Sequence, residues 1–147
     1  MSIASYMHSH HFLCDGRFAD AEEAGRRGDW PCAELLLGEF RGELEAHFSS
    51  EETLLFPAFE AATGMTEGPT RVMRGEHAQM RDLVAQMTQA LARKDGDAFA
   101  GAAETLLVFM QQHNMKEEHI LYPMCDRNLP PSMADALRER LGDACVA

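Results

Sequence analysis

Two stretches of the chain read alike: HFSSEETLLFP from His47 to Pro57, and HNMKEEHILYP from His113 to Pro123. One His, two Glu, a Leu and a Pro recur in register, and Phe56 is answered by Tyr122. The second copy begins 66 residues after the first. The same offset carries His11 onto His77, Met7 onto Met73, Cys14 onto Met80, Phe18 onto Val84, Phe40 onto Leu106 and Leu44 onto Met110. Self-similarity at a fixed period means that one supersecondary unit is present twice.

The unit is helical, because apolar residues recur in steps of three and four and strand alternation is nearly absent. Helix A is expected from about Ile3 to Arg27, ending at Gly28. Helix B starts near Pro31 with Asp29 as its cap and runs to about Ala62. Helix C runs from about Pro69 to Arg93. Helix D follows the turn KDGD, with Asp97 as its cap, and reaches about Asp126. NLPPS then ends it, and a short fifth helix follows from Pro131 to about Leu141. Pro57 and Pro123 are expected to kink or terminate their helices, since proline removes a ladder donor. Long helices joined by short turns predict an all-α, up-down-up-down four-helix bundle over about residues 3–126, with a short C-terminal helix. The 147 residues are expected to form a single domain.

Bulk properties narrow the function. The net charge of -11 argues against nucleic acid or an anionic membrane as partner, because both select clustered Lys and Arg. No apolar run reaches the roughly 18 residues that a membrane span needs. The first residues carry histidines and no basic-then-apolar leader pattern, so a cytoplasmic location is expected. Cys14, Cys32, Cys125 and Cys145 lack close spacing and are expected as free thiols.

The offset sorts the histidines. His11, His47, His77 and His113 have histidine partners. His8 falls on Arg74, His10 on Glu76, and His119 on Thr53. His8 and His10 are therefore expected at the surface, and His119 is left open. On helix B, Phe40, Leu44, His47, Glu51, Leu54 and Ala58 form one stripe. On helix D, Leu106, Met110, His113, Glu117, Ile120 or Leu121, and Met124 do the same. His11 and His77 lie on the apolar stripes of A and C. Four imidazoles and two carboxylates thus point inward among apolar residues.

A single histidine on such a face is ordinarily a hydrogen-bonded core residue, and a lone H-x-x-x-E is a common helical pair. Two copies in one register are harder to explain that way. A buried carboxylate without a partner costs several kcal/mol. Cations would neutralise the set and tie it together, with Glu and His one turn apart reaching one centre. Glu52 and Glu118 lie off the stripe and are expected in solvent or behind the ligands. Cys14 is expected as a small buried hydrophobe.

These residues resemble the hemerythrin-like HHE cation-binding domain family. The resemblance rests on HHFLCD around His11, HFSSEETLLFP from His47, GEHAQM around His77 and HNMKEEHILYP from His113. It implies two non-haem iron ions (Fe2+/Fe3+) bridged by carboxylates and by an oxo or hydroxo group. Carried over, the metal ligands are His11, His47, Glu51, His77, His113 and Glu117. Oxygen-carrying hemerythrins have a further histidine one turn after the helix C ligand, where this chain has Arg81. They also have an aspartate where this chain has Glu118. The four-His, two-Glu set looks more like relatives linked to repair of damaged iron centres.

Three functions follow as expectations. The first is a redox-active di-iron protein that binds or reacts with O2, peroxide or NO, in a pocket narrowed by Leu44, Met110, Phe18 and Val84. The second is an iron, oxygen or NO sensor signalling to a protein partner. The third is a structural site for a metal such as zinc.

Overall fold

The computed structural model describes residues 1–143. Among them are helices and turns and no strand. The first hairpin pairs α1 (Ile3–Arg26) with α2 (Trp30–Ser50), and the second pairs α4 (Pro69–Ala92) with α5 (Gly96–Lys116). Helix α2 continues through a π-turn (Glu51–Leu55) into α3 (Phe56–Thr63). Helix α5 continues through a second π-turn (Glu117–Leu121) into α6 (Tyr122–Asn128). α1 also packs on α5, and α2 on α4, which closes the bundle. The short α7 (Ser132–Leu141) buries Ala134 and Leu137 against α1 and the first π-turn, capping one end.

The turns that close the two hairpins repeat almost bond for bond. Asp29 accepts from the Cys32 amide at 3.3 Å, and Asp95 from the Ala98 amide at 3.0 Å. The Asp29 amide reaches the Ala24 carbonyl, and the Asp95 amide reaches the Ala90 carbonyl. Gly28 and Lys94 both adopt left-handed φ, of 73° and 55°. Asp95 is therefore the cap of α5, and Asp97 is not. The residue that matches Asp29 at the offset is Asp95, and Asp97 already lies in the first helical turn.

The prolines do not end their helices. Each sits in the first turn after a π-turn. A π-turn bonds residue i to i+5, as the Phe56 amide does to the Glu51 carbonyl and the Tyr122 amide to the Glu117 carbonyl. Pro57 has no N–H to offer the Glu52 carbonyl, which instead faces the Arg74 guanidinium at 3.4 Å. The wider turn also shifts the buried stripe. Leu55 and Phe59 are buried where Leu54 and Ala58 were expected; of the pair Ile120 or Leu121 it is Leu121 that is buried, and Cys125 is buried in place of Met124.

The interior has three layers. One apolar cluster, including Phe18, Phe40, Met87, Phe99 and Leu106, fills the end near the hairpin turns. Another, including Tyr6, Met7, Phe56, Phe59 and Leu137, fills the end under α7. Buried His and Glu side chains lie between the two.

Gly25 shows how tightly the first cluster is packed. A Cβ there would meet Phe99 Cε1 at 2.2 Å. At the offset positions, Leu91 replaces Gly25 and Ala33 replaces Phe99, so large and small exchange sides. Gly25→Ala is expected to destabilise the fold by about 1–2 kcal/mol, as overpacking outweighs the gain in helix propensity. A lowered urea midpoint at unchanged slope would show it; an unchanged midpoint would mean that Phe99 gives way freely.

Candidate metal centre

Each inward side chain is aimed by a helix packed on a neighbour. His11 comes from α1, His47 from α2, His77 from α4 and His113 from α5. Glu51 and Glu117 each open a π-turn. All six are buried, the most exposed being His11 at 4%.

The Nε2 atoms converge on the two carboxylates. His77 Nε2 lies 3.1 Å and His47 Nε2 3.5 Å from Glu51 Oε1. His11 Nε2 lies 3.1 Å and His113 Nε2 3.3 Å from Glu117 Oε1. Donor atoms of Glu51, His77, His113 and Glu117 all fall within 4.8 Å of one another, and so do those of His11, His47 and Glu117. Glu117 belongs to both groups. All six predicted ligands are thus brought to one place.

Their outer nitrogens are held from behind. His11 Nδ1 is 2.6 Å from Glu118, and His77 Nδ1 is 2.6 Å from Glu52. The exchange is reciprocal, because Glu118 lies in the second half and Glu52 in the first. His113 Nδ1 is 2.8 Å from Glu76. His47 Nδ1 instead meets His10 Nδ1 at 2.8 Å. Such partners fix the tautomer that leaves Nε2 as a lone-pair donor.

Sequence reasoning missed four residues here. His10 is fully buried rather than exposed, because it packs between α1 and α2 against His47. Glu43 takes its other nitrogen at 2.8 Å. Glu76 stands behind His113. Tyr122 places its hydroxyl 2.7 Å from Glu51, 2.9 Å from Glu117, and 3.2 and 3.3 Å from the Nε2 atoms of His11 and His47. The available signals were the mismatches at the offset: His10 against Glu76, and Phe56 against Tyr122. His8 is exposed as expected, and the open case, His119, is exposed as well. Cys14 is buried 3.9 Å from His10, and burial pushes its thiol far up, so it stays protonated.

Without a cation the set is electrostatically frustrated. Burial and the nearby Glu117 charge push the Glu51 carboxyl well above the usual range. Burial also opposes ionisation of Glu117, but the neighbouring His113, Glu51 and His11 hold it well below that range. Burial lowers His11, yet Glu117 and Glu118 outweigh it and raise the ring to about 9. Burial dominates at His77, which falls to about 4, and at His47, which falls well below its ordinary value. Among the described residues, four buried side-chain polar atoms have no hydrogen-bond partner: Glu51 Oε1, His77 Nε2, His113 Nε2 and Glu117 Oε2. Unpaired buried polar atoms are rare and costly. All four belong to one converging group of nitrogen and oxygen donors, the kind of set that a divalent or trivalent cation satisfies.

The profile of the hemerythrin HHE cation binding domain matches residues 2–125. The chain belongs to this family. No curated protein and no solved structure matches it. Among the described residues, no helix is long and apolar enough to cross a membrane. As an HHE domain the chain is a cation-binding protein, and its buried His and Glu cluster is where a cation could be held.

The protonation pattern separates the two glutamates. In metal-free protein at neutral pH, Glu51→Gln is expected to change stability by less than about 0.5 kcal/mol, because an amide replaces a carboxyl whose ionisation burial and the Glu117 charge already oppose. Glu117→Gln is expected to cost about 2 kcal/mol, because it removes the counter-ion of His11 and His113. A ring raised in the folded state stabilises fully below its unfolded pKa and loses that contribution as pH rises through its folded value. Wild-type stability should thus decline between about pH 6.5 and 9, and the decline should shrink in Glu117→Gln. Urea unfolding across that range checks both; equal costs for the two variants would contradict the assignment.

Proposed function

We propose that the chain is a non-haem di-iron protein that binds or reacts with O2, peroxide or NO. The observation that carries this reading is the pair of buried donor groups joined at Glu117. Glu51, His77, His113 and Glu117 would hold one ion, and His11, His47 and Glu117 the other. Iron in such a site supplies reversible electron transfer and affinity for small diatomic ligands.

The protein's own part is positioning and exclusion. Glu52, Glu76 and Glu118 hold three imidazoles with Nε2 turned inward. Burial, the Glu117 charge and the hydrogen bonds to both glutamates keep Tyr122 protonated, so its hydroxyl is a donor aimed at the centre of the site. Phe48 stacks on His77 at 4.0 Å between ring centroids and restricts its rotation. Leu44, Met110, Phe18 and Val84 are buried in the apolar cluster on one side of this layer and would narrow access to it to small ligands. Nitrogen and oxygen donors without thiolate suit iron and are also compatible with manganese or zinc, so metal content is the first thing to measure.

Protein purified without oxygen and titrated with Fe(II) is expected to take up about two ions per chain. Admission of air should then produce charge-transfer absorption in the near-ultraviolet and visible. Failure to bind iron, or binding with no spectral response to O2 or NO, would overturn this reading.

The sensor reading has one observation in its favour. Arg140 of α7 reaches the Thr53 hydroxyl at 2.6 Å, and Thr53 lies in the π-turn that Glu51 opens. A metal pulling on Glu51 would therefore also load the α7 contact. Limited proteolysis at residues 128–132 should change on iron loading if α7 reports the site; identical digestion would leave only the di-iron reading.

A further inference from the structure

Three of the four inward histidines present their outer nitrogen directly to a carboxylate, and the fourth does not. His11 faces Glu118, His77 faces Glu52, and His113 faces Glu76. His47 faces His10. His10 occupies the position that Glu76 holds in the second half of the chain, so the pseudo-twofold plan breaks at this one outer contact. The two rings are nearly parallel, with an interplanar angle of 12°, and their Nδ1 atoms are 2.8 Å apart. His10 Nε2 then meets Glu43 Oε1 at 2.8 Å. His10 is fully buried, whereas the Glu43 side chain is 26% exposed.

The tautomers follow from these distances. For His47 to offer the Nε2 lone pair inward, its Nδ1 must carry the hydrogen and donate to His10 Nδ1. His10 Nδ1 then accepts, and its own hydrogen lies on Nε2, where Glu43 accepts it. Every donor meets an acceptor. Compared with the other three histidines, the negative charge that makes the ligand more basic is removed from His47 by the width of one imidazole. Carboxylates directly behind a ligating histidine raise its donor strength, and altering such partners changes metal affinity about 10–100-fold.

We infer that His10 and Glu43 form a positioning relay that makes His47 the weakest donor of the four, so that the two metal positions are inequivalent and fill in order. The position served by Glu51, His77, His113 and Glu117 fills first. The position served by His11, His47 and Glu117 fills second and is the one that loses its ion more readily. This inference rests on the two-metal reading above. The donor count points the same way, since the first group brings four side chains together and the second three.

Co(II) titration of the metal-free 147-residue chain, followed by visible absorption, tests it. Wild type should show two resolved steps. Glu43→Gln alters only a partly exposed side chain and should weaken the second step about 10-fold or more, leaving the first within about twofold. Glu76→Gln should do the reverse. His10→Glu combined with Glu43→Gln places a carboxylate directly behind His47 without a like charge beside it, and should draw the two steps together. Circular dichroism on each variant checks that helix content is retained. Uptake of fewer than two Co(II) per wild-type chain would overturn the two-metal reading and the relay with it. Two equal steps, or Glu43→Gln and Glu76→Gln shifting the same step, would overturn the relay alone.

Discussion

The structure is organised around a buried polar layer that an apolar interior cannot tolerate uncompensated. Two glutamates and four histidines lie between two hydrophobic clusters, all nearly out of contact with water. Desolvation opposes every charge in that layer. The metal-free protein answers by sharing protons unevenly: burial and Glu117 push the Glu51 carboxyl up, His113 holds Glu117 down, and Glu117 and Glu118 raise the His11 ring. Four inner atoms among the described residues still have no hydrogen-bond partner. A packed core of the same volume would be at least as stable without these groups. Their presence is therefore an argument for cation binding rather than for folding.

The pseudo-twofold plan makes the site a property of the assembled bundle. Glu52 of the first half holds His77 of the second, and Glu118 of the second holds His11 of the first. Neither hairpin alone contains a complete donor set with its supports. Two departures from symmetry touch the centre. Tyr122 brings a hydroxyl to the glutamates where its offset partner Phe56 has none, and His10 stands where Glu76 would. One half of the site is thereby more polar at its core and less directly anionic at its back.

The π-turns connect backbone to chemistry. Each begins at the inward glutamate and runs directly into α3 or α6, whose second residue is Pro57 or Pro123. An i to i+5 turn widens the helix and takes up one extra residue. It lets Glu51 and Glu117 face the site while Leu55 and Leu121 still face the core below. Thr53 in the first π-turn also meets α7, so the capping helix and the site share a piece of backbone.

Much of this was legible in the residues themselves. The repeat at 66 residues determined the two-hairpin plan, the helix order and the six inward donors, because helical periodicity alone decides which side chains share a face. It also contained the right cap, since Asp95 is the offset partner of Asp29. What one helix's periodicity cannot decide is which neighbour stands behind a side chain. That depends on how the helices rotate against each other, and it was settled only in the packed bundle. Hence Glu76 appears as a histidine partner only there, the choice left open for Glu52 and Glu118 is decided there in favour of a place behind His77 and His11, and His10 proves buried although its offset partner is a glutamate. The π-turns were hidden for a similar reason. Their one-residue shift of the stripe is a backbone adjustment around Pro57 and Pro123, and it leaves no mark in composition that distinguishes it from a kink.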